Sequence, residues 1–109
     1  MALDTSGLLS GMIDAARGAL TDDWPEVRDY AESELRKFTE ALTLIERMTA
    51  HGSMSPERAR LHIDFQKSSM RAVLLTVQGL GVLAVENAIN AAIDAVKDTV
   101  NTALGFRLL

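Results

Sequence analysis

The residues with the most chemical potential in this sequence are its two histidines, His51 and His62, because it contains no cysteine. A di-iron carboxylate bundle places a glutamate three residues before each ligating histidine, but Met48 and Ala59 occupy those positions here. The sequence also lacks the HExxH, Walker, G-x-G-x-x-G and G-x-S-x-G motifs. Without thiols there is no cysteine nucleophile, thiolate zinc site or disulfide framework. We therefore predict no catalytic, cofactor-binding or metal-binding residues.

Both histidines have simple structural interpretations. His51 falls at the expected end of a helix, where an imidazolium meets the negative pole of the helix dipole, and His62 lies on a charged, solvated helix face. Glu86 differs because it adjoins a wide apolar surface beside Asn87 and Asn90. A carboxylate buried there needs a hydrogen-bonding partner. Glu86 is therefore a candidate, and no more than that, for a polar group that sets the register of a helix interface.

A modest basic cluster is the only feature that points toward nucleic acid. It consists of Arg58, Arg60, Lys67 and Arg71, and Asp64 interrupts it. No aromatic platform accompanies it, and the net charge of the chain is −4. Nucleic acid is therefore not an expected partner.

Length and composition favour one small globular domain. The chain has 109 residues, of which 48% are hydrophobic and 24% charged. Eight Lys/Arg and twelve Asp/Glu precede Arg71, whereas only three of each lie from Arg71 onward. The chain start lacks the positive leader and small-residue cleavage site of a signal peptide, so we expect a cytoplasmic protein.

The hydrophobic periodicity predicts an all-α fold, with helices near 6–20, 23–51 and 56–104 in a single domain over 1–109. The second helix has the clearest pattern, with a large apolar or aromatic residue recurring on one face and charges on the other. Asp23 is a candidate N-cap for it, and Gly52 suits the residue after its end. Ser55 and Pro56 have the chemistry of an N-cap and a first helical position.

Gly79 and Gly81 lie within the predicted third helix. The segment around them has apolar neighbours and no capping residue, which favours one long helix, straight or kinked at Gly79–Gly81. This helix would form a hairpin with the second helix and build a helical bundle on oligomerisation. In the alternative, the glycines form a tight turn and the chain is a monomeric up-down four-helix bundle.

The last third of the chain carries apolar or small residues on most of the circumference of a helix. One covering helix hides only one side of such a helix, and soluble monomers rarely expose so large an apolar patch. We therefore predict that copies of the chain meet through this helix. Gly105 is expected to end it, and the apolar terminus at Phe106, Leu108 and Leu109 is expected to dock. The predicted interface residues are Val82, Val85, Ala88, Ile89, Ala92, Ile93, Val96 and Val100.

These features predict a non-enzymatic structural or interaction protein that forms a homo-oligomer, a dimer or higher, or binds another helical protein. An accessory or assembly component, for example of a phage or mobile element, fits the small size and the lack of chemistry. A first alternative is a ligand-binding or enzymatic helical bundle with Glu86, Asn90 or His62 as its polar groups. A second is a membrane-active helical protein, which the Asn- and Asp-rich polar strip disfavours.

Overall fold

Helices account for nearly the whole molecule. In the computed structural model, which describes residues 3–109, four α-helices follow one another, with a short 3-10 turn at Thr21–Asp23 between the first two. The all-α prediction is confirmed, and the first two helices begin and end within one residue of their predicted bounds. The helices are α1 at Thr5–Leu20, α2 at Trp24–Ala50, α3 at Pro56–Leu74 and α4 at Val82–Leu104.

Successive helices run in opposite directions. The backbone N–H of Leu3 donates to Glu46 Oε1 at 2.8 Å, so the start of α1 lies beside the end of α2. Arg71 near the end of α3 binds Glu86 near the start of α4. Arg60 at the other end of α3 donates to the carbonyl of Arg107. The helices therefore form an elongated up-and-down bundle measuring 43 × 22 × 18 Å.

The α2–α3 connection follows the predicted capping chemistry. His51 is the C-cap of α2, and Gly52 follows it with φ of 74°. Ser55 Oγ accepts a hydrogen bond from the N–H of Arg58 at 3.2 Å, and Pro56 occupies the first turn of α3. Asp23 does not act as predicted, because its side chain makes no capping hydrogen bond to α2. The preceding 3-10 turn already leads into α2, with the N–H of Trp24 bonded to the carbonyl of Thr21.

The single long helix predicted over 56–104 is wrong, since the chain breaks between Leu74 and Val82. Gly79 has φ of 87°, in the left-handed region where only glycine is unstrained. The turn needs no polar side-chain caps because backbone bonds close it, including those from Val77 N–H to the Leu74 carbonyl and from Leu80 N–H to the Val77 carbonyl. Leu80 is buried and anchors the segment to the core. The helix count is that of the four-helix alternative.

One apolar core runs along the bundle, and all four helices contribute to it. The side chains with essentially no exposure include Met12 of α1, Phe38 of α2, Met70 of α3 and Val100 of α4. Each helix presents residues to it at three- and four-residue spacing, as an amphipathic helix does.

The carboxyl end of the chain docks on the bundle, as predicted. Gly105 ends α4 in the left-handed conformation with φ of 78°. Asn101 Oδ1 then accepts hydrogen bonds from the backbone N–H groups of Leu108 and Leu109, at 2.8 and 3.0 Å. Arg60 lies over the ring of Phe106 at 5.8 Å from its centroid. These contacts bring Leu108 into the core.

The break between α3 and α4 can be tested with a matched pair of glycine substitutions. Gly79→Ala is expected to lower the free energy of unfolding by about 1–2 kcal/mol, because alanine is strained at positive φ. Gly81→Ala is the control, since Gly81 has φ of −81° and open space around an added Cβ. Urea unfolding monitored by circular dichroism measures both. In a continuous helix, both substitutions would instead stabilise the protein by about 1 kcal/mol.

Candidate interaction surface

The structure places the predicted interface of α4 inside the chain's own core. Seven of its eight residues are at most 7% exposed, and only Val82, at 65%, lies on the surface. The seven buried residues therefore do not form a surface on which copies of the chain could meet. They are Val85, Ala88, Ile89, Ala92, Ile93, Val96 and Val100.

α4 has more neighbours than the single covering helix expected from its sequence. α1 lies along α4 and buries its own apolar face there. Ala16 and Leu20 of α1 share a small void with Ala88 and Ile89 of α4, together with residues of α2 and α3. The turn at Gly79 makes this possible, because it folds α4 back into the bundle.

The polar residues of the ligand-binding alternative are not brought together. Glu86 binds Arg71 within the chain, so it does not act as the predicted polar group between copies. Asn90 is exposed, and His62 borders a shallow surface depression. The void inside the core has a volume of about 10 Å³, which is at most the space for one water molecule, and only apolar side chains line it.

The outer side of α3 carries an unexpected apolar surface. Leu61, Phe65, Ser68, Ala72 and Leu75 follow one another at intervals of four, three, four and three residues. This spacing places them on one side of the helix, opposite its buried residues. Leu61 is 70% exposed, Phe65 71% and Leu75 40%. We call these five residues the α3 outer stripe.

A second exposed apolar pair lies at the same end of the bundle as the carboxyl end of this stripe. Val82 and Leu83 open α4 and are 65% and 74% exposed. Leu83 lies three residues before Glu86, the residue that Arg71 holds beside α3. The pair, called the α4 tip below, therefore lies at the same end of the bundle as Leu75.

The opposite end of the stripe borders a shallow depression of about 470 Å³. Leu61 contributes to its wall, so the depression is continuous with the stripe. The other lining residues are Met54, Arg58 and His62. Thus exposed apolar side chains, those of Leu75 and the α4 tip, lie at one end of the stripe, and an open recess lies at its other end.

Charged residues line one edge of the stripe. Glu57, Asp64 and Arg71 follow at seven-residue intervals, and among the salt bridges of residues 3–109 Asp64 takes part in none. Arg71 donates from Nε and Nη2 to the two carboxylate oxygens of Glu86. This hydrogen bond raises the pKa of the Arg71 guanidinium; desolvation opposes the rise, and the attraction of the opposite charge adds to it. Arg71 is therefore a permanent cation at this edge.

The sequence contained the signal for the stripe. The 4-3-4-3 spacing from Leu61 to Leu75 is readable without a structure, but so is the inner series of Ala59, Ile63 and Met70. Both series satisfy helical periodicity, and only the packed bundle shows which one faces the core.

Residues 3–109 contain no group of three or more His, Asp or Glu side chains placed to hold a metal ion. Among these same residues, no helix combines the length and the apolar character needed to cross a membrane. Comparison of the chain with protein-family models, with curated proteins and with solved structures finds no match.

The reassignment of α4 from surface to core gives a direct test on two residues of the predicted interface. Ile89→Ala is expected to cost about 2–5 kcal/mol of unfolding free energy, because Ile89 is 1% exposed and truncation leaves a cavity. Val82→Ala, measured at the same low protein concentration, is expected to change it by less than about 0.5 kcal/mol. Equal small effects in urea unfolding would show that Ile89 lies outside the core.

Proposed function

We propose that this chain is a non-enzymatic cytoplasmic interaction protein that associates with a second copy of itself through the α3 outer stripe. The single observation that carries the proposal is the exposure of Leu61 and Phe65, one turn apart, to 70% and 71%. Two large apolar side chains left in water side by side on one helix are the usual mark of a binding surface. Self-association is thus assigned to the outer face of α3 instead of the inner face of α4.

The charge distribution supports a second copy as the occupant. The chain as a whole has a net charge of −4, but α3 carries four Lys/Arg against two Asp/Glu. It is the only helix within residues 3–109 in which basic residues outnumber acidic ones. Contact through α3 keeps the more acidic helices of two copies apart, but it also brings two basic helices together, so the carboxylates of Glu57 and Asp64 must offset that repulsion.

The size of the surface supports a weak association. The stripe spans fifteen residues, or about 21 Å from Leu61 to Leu75, on a helix about 10–12 Å wide. With the α4 tip it gives a patch of several hundred Å² per copy, so two copies would bury on the order of 1,000 Å², the lower limit for a specific interface.

An estimate of the free energy of association also indicates weak binding. Burying one Leu or Phe side chain completely contributes about 1.5–3 kcal/mol. The three large stripe residues of each copy are already partly covered, and association itself costs roughly 4–15 kcal/mol. At its most favourable the balance leaves about −7 kcal/mol, a dissociation constant on the order of 10 µM, and every less favourable value gives a weaker dimer.

A lipid surface is the competing occupant, because apolar side chains flanked by Arg58, Arg60 and Lys67 also fit an anionic membrane. Glu57 and Asp64 on the edge of the stripe oppose that occupant, since they would face anionic headgroups. The same two carboxylates are compatible with a protein partner that supplies cations.

Phe65→Ser tests the proposal, with Leu44→Ser as the matched control on α2. Leu44, like Phe65, is a large apolar residue on an outer helix face, and it is 39% exposed. Sedimentation equilibrium from about 1 to 500 µM is expected to show a dimer for the unmodified chain and for the control. Removal of the Phe65 ring is expected to weaken the association at least tenfold, which corresponds to about 1.4 kcal/mol.

Two outcomes contradict the proposal. The first is an unmodified chain that stays monomeric over the whole concentration range. The second is a monomer that binds phosphatidylcholine–phosphatidylserine vesicles through Phe65, which would make the occupant a lipid surface.

A further inference from the structure

The α3 outer stripe is asymmetric along its length. Leu61 and Phe65 lie in its first half, the small residues Ser68 and Ala72 follow them, and Leu75 ends it. A parallel pair of α3 helices would place each large residue against its own copy and each small residue against its own copy. An antiparallel pair places Leu61 and Phe65 against the small residues, which is the better way to fill the line of contact between two helices.

We infer that two copies pair α3 against α3 in antiparallel order, about a two-fold axis that passes between residues 66 and 67. The inference rests on the proposed self-association and specifies its geometry. In this register Leu61 of each copy faces Ala72 of the other, and Phe65 of each faces Ser68 of the other. A two-fold interface requires this self-complementarity, in which residue i meets j and j meets i.

The charged edge selects the same register. Asp64 and Arg71 each directly precede a residue of the stripe, Phe65 and Ala72. In an antiparallel helix pair, residues in this position on the two helices lie beside each other. This places Asp64 of each copy next to Arg71 of the other. Glu86 occupies two N–H groups of the Arg71 guanidinium, and an arginine side chain has five, so donors remain for a second carboxylate. Asp64 is exposed and takes part in no salt bridge with the described residues, so it is available as that carboxylate.

Neighbouring registers lack this agreement. Moving one helix by a heptad in one direction sets Arg71 against Arg71. Moving it in the other direction brings Glu57 beside Arg71, but it sets Asp64 against Asp64 and the large Leu61 against the large Phe65. Like charges directly opposed destabilise a helix pair and exclude the wrong register. The pairing of opposite charges therefore fixes the relative position of the two copies.

The ends of the stripe also match under this two-fold. Leu75 and the α4 tip of one copy lie opposite the depression beside Leu61 of the other. The recess of about 470 Å³ is lined partly by Met54, whose flexible thioether adapts to an irregular apolar surface. Each copy thus supplies one projection and one recess, and the dimer forms both contacts.

Disulfide cross-linking tests the geometry cleanly, because the chain has no cysteine of its own. The double variant Leu61→Cys/Ala72→Cys is expected to form a covalent dimer after mild oxidation. Within one chain the two positions are eleven residues apart, about 16 Å along the helix, so they cannot join to each other. Each single variant, Leu61→Cys or Ala72→Cys, is expected to remain at least tenfold less cross-linked. Non-reducing electrophoresis measures all three, with Ser10→Cys on α1 as the control for random collision.

The outcomes separate this inference from the proposal on which it rests. If the unmodified chain dimerises but both single variants cross-link as efficiently as the double variant, the pairing is parallel and the inference is wrong while self-association stands. If the unmodified chain does not dimerise in the sedimentation experiment, both are wrong.

An exchange of charges tests the register independently. Asp64→Arg sets arginine against Arg71 of the second copy. The double variant Arg71→Asp/Glu86→Arg keeps an opposite-charge pair between α3 and α4 and sets aspartate against Asp64 of the second copy. Each is expected to dimerise at least tenfold more weakly than the unmodified chain. Mixed in equal amounts, the two variants form opposite-charge pairs at both sites, and a mixed dimer approaching the original affinity is expected in sedimentation. No preference for the mixed dimer would overturn the assigned charge pairs.

Discussion

The structure depends on the burial of α4, which is apolar on most of its circumference and cannot remain stable against a single neighbour. Two features of the chain satisfy this requirement together. α1 supplies an apolar face along the length of α4, and the left-handed turn at Gly79 returns α4 to the bundle where α1 can reach it. Because α1 provides most of this cover, α3, like α2, meets α4 through few backbone neighbours, and α3 keeps its outer side in solvent. The stripe on α3 therefore stays exposed because most of α4 is covered without α3.

The rotation of α3 about its own axis needs a separate explanation, since the helix has apolar residues on two opposite sides. Polar contacts on its edge toward α4 distinguish these sides. Arg60 and Arg71 are eleven residues apart, about three helical turns, and so lie on the same side of the helix. Arg71 binds Glu86 near the start of α4, and Arg60 donates to the Arg107 carbonyl just beyond its end. With both ends of this edge held against α4, Ile63 faces the core and Phe65 faces solvent.

The sequence predicted those parts of the fold that local chemistry decides. Ser55, Pro56 and Gly52 marked the α2–α3 connection because capping and turn geometry are properties of a few adjacent residues. The break after Leu74 was predicted only as the alternative, because backbone hydrogen bonds and a buried Leu80 close it and these leave no capping signature. The surface could not be predicted either. Which face of α3 is buried, and how many helices cover Ile89, depend on the packing of all four helices, and periodicity within one helix carries no information about that.

In the proposed dimer, charge distinguishes an interface on α3 from one on α2 or α4. Two copies with a net charge of −4 each repel one another, and the repulsion is strongest where acidic helices face each other. α2 and α4 each carry more acidic than basic residues, whereas α3 has the opposite balance. Moreover, Glu86 holds Arg71 at the edge of the exposed stripe, so this cation is already positioned before a partner arrives and loses less conformational freedom on binding. The ion pair between Arg71 and Glu86 therefore orients α3 inside the bundle. It also holds Arg71 at the outer edge of α3, where the guanidinium can bind a carboxylate.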